Sequence, residues 1–109
     1  KATQYEDYFM SEKEFHWMSK HSRNLKSKDI TEFMNNDYGK RPVLLFVQKS
    51  NKENDFYFLG RVHPASIPNN FTETTIDNKS VVSIQWTLED ECPKDLYQYF
   101  NSNIQEADT

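Results

Sequence analysis

Glycine is nearly absent, with Gly39 and Gly60 the only two in 109 residues. Nucleotide-binding loops need several glycines so that backbone N–H groups can close around phosphate. Neither a P-loop nor a dinucleotide fingerprint is therefore available. Cysteine is scarcer still. Cys92 stands alone, which excludes an internal disulfide and fits a reducing, cytoplasmic setting. His16, His21 and His63 are the only histidines, and they form no HxH or HExxH spacing, so no metal site is expected. No apolar run is long enough to span a bilayer or to form a signal-peptide core. Cys92 has no histidine near it in sequence, and Asp90 and Glu91 read as a solvated turn at a strand end. No catalytic constellation emerges. The expectation is a non-catalytic domain with no cofactor of its own.

What the chain does have is rings. Eight Phe, six Tyr and two Trp make up 15% of it, and they supply most of the surface it can bury. A disordered chain of similar charge would carry few of them. The net charge is −4, yet its distribution is more informative than its sum. Residues 13–52 carry nine Lys/Arg against four Asp/Glu, and residues 53–109 carry three against ten. A basic half suits nucleic acid, an acidic half suits a basic partner, and uneven surface charge without a role is the plainer alternative.

The length fits one domain over residues 1–109. Starting at Lys1, it is expected to be a segment of a longer multidomain enzyme. Residues 5–18 predict a short helix or turn leading into a strand at 15–18. Residues 20–28 are polar and basic, and read as an exposed loop. Asp29 and Glu32 have capping-box spacing ahead of a short helix through Ile30, Phe33 and Met34, ending near Asn35-Asn36-Asp37 with Gly39 closing the turn. Residues 43–48 (VLLFVQ) read as a strand buried on both faces. Residues 56–62 read as its antiparallel hairpin partner across the polar turn 49–54. Residues 81–88 alternate Val82, Ile84, Trp86 and Leu88 against Ser83, Gln85 and Thr87, one face buried and one wet. Residues 64–80 show no period and read as a long loop of the kind that is often functional. Pro93 opens a last helix docked by Leu96, Tyr97 and Phe100, and the residues after Asn101 are expected to fray. Tyr57 is ambiguous between core and surface. The fold class expected is α+β, a small curved β-sheet or barrel flanked by short helices.

The most unusual stretch is Tyr5-Glu6-Asp7-Tyr8-Phe9 followed by Phe15-His16-Trp17-Met18-Ser19. In an extended strand Phe15, Trp17 and Ser19 share one face, and His16 and Met18 the other. Two rings and a hydroxyl beside Lys20, Arg23 and Lys26 suit a base pocket next to a phosphate track. Phe15 and Trp17 read equally well as core.

The same stretch resembles the Y-x-D-Y … F-H-W-Q-S-Q signature of a bacterial domain found at the C-terminus of helicase-like proteins that often carry a phospholipase-D-type nuclease. The similarity continues through residues 44–47, 56–60 and 82–88, then Pro93, Leu96 and Tyr97. This chain has Met18 and Lys20 where the signature has two glutamines, so neither position offers an amide. Its 64–80 stretch is also longer than the family pattern suggests. The family is that of SauUSI-type, ATP-dependent, modification-dependent (type IV) restriction enzymes, which act in phage defence. Within them the resemblance implies a target-recognition domain similar to the SRA fold of the PUA-like class. ATP and Mg²⁺ are implied for the parent enzyme, with its helicase and nuclease domains as partners.

What the resemblance implies is a reader of double-stranded DNA containing 5-methylcytosine, with 5-hydroxymethylcytosine a second candidate. The modified base would be flipped into an aromatic pocket. Phe15 and Trp17, with Tyr8, would stack on the base or line a methyl niche. Asp7, then Glu12, would accept from the cytosine N4 amine, and Ser19 and His16 would donate to the base or its phosphate. Lys20, Arg23, Lys26, Lys40 and Arg41 would contact the DNA backbone. The isolated chain is expected to be a monomer. Two other readings compete. One is a reader of unmodified DNA or of RNA. The other is a protein-docking or autoinhibitory module using the acidic half.

Overall fold

The computed structural model describes residues 7–48 and 55–101, and all structural statements concern these. In chain order the elements are β1 (Tyr8–Ser11), β2 (Glu14–Met18), α1 (Lys28–Asn35), β3 (Val43–Val47), β4 (Tyr57–Pro64), β5 (Phe71–Ile76), β6 (Lys79–Leu88) and α2 (Lys94–Asn101). The class is α+β. The strands form one antiparallel sheet in the order β1-β2-β6-β4-β3, with β5 also paired to β6. Among the described residues the sheet is open, with β1, β3 and β5 each paired on one side only, and is not closed into a barrel.

β6 is the spine. β2 runs along one side of it from Met18↔Ser83 to Glu14↔Thr87. Along the other side lie first β5 (Ile76↔Lys79 to Phe71↔Ile84) and then β4 (Pro64↔Trp86 to Val62↔Leu88). β4 and β5 run in the same direction against β6, so together they act as one long strand interrupted by residues 65–70. The alternation of β6 is as expected on the core side, where Val82, Ile84, Trp86 and Leu88 are buried. The other side departs from it: Val81 and Ser83 are buried as well, leaving only Gln85 and Thr87 partly open.

Both helices cover the same face. Ile30 of α1 is fully buried, and the Phe33 ring stands edge-on to Trp86 (5.3 Å) and Trp17 (5.9 Å). From α2, Phe100 stacks on Phe9 at 5.5 Å and Tyr97 meets it edge-on at 5.9 Å. Burying a large apolar side chain such as Ile30 is worth roughly 1.5–3 kcal/mol. Rings packed at these separations add about 0.5–1.5 kcal/mol per pair. This is where the aromatic composition is spent, with Leu96 and Phe100 docking α2 as their spacing predicts.

Several expectations are corrected. The stretch before residue 15 is a strand, β1, turning through Ser11, whose Oγ donates to Glu14 Oε1 and accepts from Lys13 N; residues 5 and 6 lie outside the described residues. Asp29 does not cap α1. The N-cap is Ser27, with no side-chain cap bond, and Asp29 sits inside the first turn paired with Arg23. The end of α1 at Asn36 is as expected.

β3 is not buried on both faces. It is an edge strand whose Val43, Leu45 and Val47 pack inward while Leu44 and Phe46 are exposed. Its antiparallel pairing with β4 is as expected, with a bulge opposite residues 44–46 where Gly60 takes φ +86°, a conformation that favours glycine. The bulge settles Tyr57, which points to Phe100 (5.5 Å), while Phe56 and Phe58 face outward.

The stretch read as a long loop holds β5. Thr72, Thr74 and Thr75 are β-branched, and Asp77 and Asn78 both take positive φ (53° and 65°). That is a two-residue type I′ hairpin turn. The polar turn 49–54 and the chain after Asn101 lie outside the described residues.

Candidate nucleic-acid interface

The helices take one face; at the centre of the opposite face Glu14, His16, Gln85, Thr87 and His63 are half-buried, while Met18 and Ser83 on the same face are buried. Side chains of directly paired residues lie on the same face, so the register lays out what this face presents. One row runs Tyr8↔His16↔Gln85 across β1, β2 and β6; the next runs Glu14↔Thr87↔His63 across β2, β6 and β4. Neighbouring strands are about 4.8 Å apart, so each row spans roughly 10 Å, about the length of a base pair's edge. Tyr8 and His16 are stacked, with ring centroids 4.7 Å apart and planes inclined by 19°.

Asp7 lies at the end of the β1–β2 hairpin, against the backbone of β2. The residue is exposed overall, yet Oδ1 accepts the Met18 N–H at 2.9 Å, which draws the carboxylate onto the strand. Desolvation there pushes its pKa above the ordinary carboxylate value, against the lowering pull of the Met18 N–H and the nearby His16.

Gln85 is held from the other side. Its N–H donates to Asn70 O (2.9 Å), its carbonyl accepts from Ala65 N (2.8 Å), and Asn70 Nδ2 donates to Ala65 O (2.9 Å). Those three bonds pinch the neck of a short excursion, residues 66–69, beside the Tyr8–His16–Gln85 row. Asn69 turns it at φ 62°.

The residues expected to form a base pocket divide between the two faces. Tyr8 and His16 come together on the open side, and Asp7 is bonded to Met18 N at the end of the same hairpin. Phe15 lies on the other face: at 4% exposure it is core, edge-on to Phe9 at 5.0 Å. Trp17 is half-buried on the same helix-covered face. The alternation is as predicted, with Phe15 and Trp17 on one face and His16 on the other. Ser19 is 1% exposed, with Oγ accepting from Val82 N and donating to Lys20 O, both at 2.9 Å. Its hydroxyl donor is committed to the backbone. Glu12 lies at the β1–β2 turn, where its carbonyl accepts from Cys92 N, at the opposite end of the hairpin from Asp7.

The basic residues also divide. Lys20 follows β2 at the Asp7 end, and Arg23 and Lys26 continue from it. This segment is pinned rather than loose: Ser22 N and Arg23 N both donate to Ser80 O, Leu25 N donates to Glu73 Oε1, and Leu25 packs on the core. Arg23 Nε is bonded to Asp29 Oδ2 at 2.9 Å, and that bond holds the Asp29 carboxyl below its ordinary pKa. Arg23, Ser27, Lys28, Asp29 and Glu32 line a shallow groove of mixed charge. Lys40 and Arg41 precede β3, at the far edge of the sheet, three strands from β2.

Gln85, Thr87 and His63 join the candidate site without having been singled out from sequence. The alternation of residues 81–88 placed Gln85 and Thr87 on the side away from the core, but only the pairing His16↔Gln85 and Thr87↔His63 brings them beside the histidine and tyrosine. The row offers a flat stacked pair, an amide that both donates and accepts, a hydroxyl and a carboxylate, a set suited to reading the edge of a planar heterocycle. Among the described residues, no group of three or more His, Cys, Asp and Glu could hold a metal ion, and no helix is long and apolar enough to cross a membrane. A protein-family model described as "Domain of unknown function (DUF3427)" matches residues 1–100. No curated protein matches the chain.

Proposed function

The chain belongs to the DUF3427 family, and on that footing we propose that it is a non-catalytic recognition module for DNA carrying modified cytosine, with the open sheet face around Tyr8, His16 and Gln85 as its base-reading surface. The observation that carries this reading is the stacked Tyr8–His16 pair on the helix-free face, with Gln85 in register beside it and Asp7 at the end of the same hairpin. The resemblance described from the sequence supplies the modified base and the parent, a modification-dependent restriction enzyme. The stacked pair and its register support the choice of residues.

The roles differ from those the sequence suggested. Tyr8 and His16 form the stacking platform. The Gln85 amide and the Asp7 carboxylate address the polar edge of cytosine, which needs an acceptor for its N4 amine and donors for N3 and O2. Lys20 and Lys26 lie along the phosphates leaving that edge. Extracting a base from the duplex costs a few kcal/mol, and stacking returns roughly 1–3 kcal/mol per base. A methyl group adds only about 0.8 kcal/mol if fully buried. The preference for methylated over plain duplex is therefore expected to be about fourfold from burial alone, unless shape adds to it.

The test is a titration of matched duplexes, one with 5-methylcytosine and one plain, at about 0.15 M salt. Preference for the methylated duplex that falls on Tyr8→Ala or His16→Ala supports the reading. Equal binding to both reduces it to a general nucleic-acid clamp, and binding to neither removes it.

A further inference from the structure

At the β3 edge the helix-free face carries an apolar patch that lies beyond the base-reading rows. Leu44 (47% exposed), Phe46 (53%), Phe56 (62%) and Phe58 (59%) lie together there. The Phe46 and Phe58 rings are 5.1 Å apart across the β3–β4 pair, and Leu44 is paired with Arg61. Soluble proteins usually blunt an edge strand with a lysine, a proline or a bulge within it. β3 reads VLLFV and has none of these; its hairpin's bulge is in β4.

We propose that β3 pairs with β3 of a second copy of this chain, antiparallel about a two-fold axis at Leu45, giving a reversible dimer. Three properties of the strand fit this occupant. A two-fold interface brings each residue near its own symmetry mate or a close neighbour, so charge at its centre would repel, and β3 is uncharged throughout.

Centring on Leu45 also sets Leu44 of each copy opposite Phe46 of the other. The exposed row then continues unbroken through Phe58, Phe46, the partner's Leu44 and the partner's Arg61. Registers centred on residue 44 or 46 would instead set Phe46 or Leu44 against Pro42 or Gln48, leaving half of the apolar row unmatched.

The third property is area. Edge pairing covers Leu44 and Phe46 of each copy and the paired backbone, while Phe56 and Phe58 stay on the sheet face. The total stays below the roughly 1,000 Å² that a stable, specific interface clears. An interface of that size fits weak, reversible association, in place of the monomer expected from size alone.

The experiment is sedimentation velocity of this chain from about 5 to 500 µM, a span that brackets micromolar dissociation constants. It is run on the wild type, on Leu44→Lys, on Phe46→Glu, and on an equimolar mixture of the two variants. The wild type is expected to pass from monomer to dimer. Each variant alone is expected to stay monomeric with an unchanged circular-dichroism spectrum and melting midpoint, since both positions are exposed. The mixture is expected to regain a dimer, because the ammonium introduced in one copy faces the carboxylate introduced in the other.

A wild type that stays monomeric throughout, assembly beyond two copies, or variants that dimerise as the wild type does would each overturn the proposal. Failure of the mixture to associate would overturn the register and the two-fold arrangement with it. None of these outcomes bears on DNA recognition, because Leu44 and Phe46 lie outside the Tyr8–His16–Gln85 row.

Discussion

Phe15 and His16 are adjacent in sequence and opposite in role, and truncating each should separate stability from recognition. Phe15→Ala empties a core site beneath Phe9 and Trp86 and is expected to cost about 3–5 kcal/mol of stability, read in a denaturant melt. His16→Ala and Tyr8→Ala remove rings from the open face and should cost under ~1 kcal/mol, because exposed positions away from special features tolerate change. In a DNA titration the order reverses, with the folded Tyr8 and His16 variants losing affinity by about 5–160-fold if each ring contributes the usual 1–3 kcal/mol of stacking. Loss of stability in both open-face variants comparable to Phe15→Ala would show them to be core and remove the platform.

Asp7 makes a second prediction at the same scale. Desolvation raises its folded-state pKa above the ordinary value, so the native state favours the protonated carboxyl more than the unfolded chain does. The stability this contributes is fully present below the unfolded pKa and is lost as pH rises through the folded one. At neutral pH the ionised Asp7 therefore carries a small cost. Asp7→Asn keeps an oxygen for the Met18 N–H and removes the charge. It is expected to raise the melting temperature slightly at pH 7, within the ~0.5 kcal/mol usual for exposed positions, with the difference closing as pH falls below about 4. A variant clearly less stable than wild type at pH 7 would mean that the Met18 hydrogen bond and His16 outweigh desolvation.

Among the elements, the β5–β6 hairpin depends on two residues at its turn. Asp77 and Asn78 both sit at positive φ, which short polar side chains tolerate and β-branched ones do not. Asn78→Val is expected to destabilise the domain by about 1–3 kcal/mol through backbone strain, while Asn78→Gly should be neutral or mildly stabilising. Equal melting midpoints for the two variants would argue against the type I′ turn.

This hairpin also shows what the sequence conceals. β4, β6 and both helices are legible because their apolar spacing is strong: Val82, Ile84, Trp86 and Leu88 alternate, and Leu96, Tyr97 and Phe100 share a helical face. β5 has only Phe71 and Ile76 as apolar residues, at its two ends, so periodicity is silent, and the Asp-Asn pair was the signal available. Continuous runs mislead in the other direction. VLLFV looks like a strand buried on both sides, yet burial depends on where the strand falls in the sheet order, and β3 falls at the edge. The candidate site was half legible for the same reason. Alternation separated His16 from Phe15 and Trp17, but which face the helices would cover is a tertiary fact.

For the molecule as a whole, the charge asymmetry yields a prediction that the site alone does not. A net charge of −4 repels DNA at long range, so the proposed binding requires a local basic segment, and the architecture offers two. Lys20 and Lys26 belong to the segment anchored to β6 at the Asp7 end of the open face, whereas Lys40 and Arg41 lie three strands away at the far edge. Removing one lysine from a phosphate reduces the slope of log K against log salt by about 1. Lys20→Ala and Lys26→Ala should therefore each flatten the salt dependence by about one unit, and the double variant by about two. Lys40→Ala and Arg41→Ala should leave the slope unchanged. Arg23 belongs with neither set: its guanidinium is bonded to Asp29, so Arg23→Ala is expected to loosen the start of α1 more than it alters the slope. If Lys40 and Arg41 carry the salt dependence instead, the DNA runs along the β3 edge, the Tyr8–His16 row is not its reading surface, and DNA and a second copy of the chain compete for one strand.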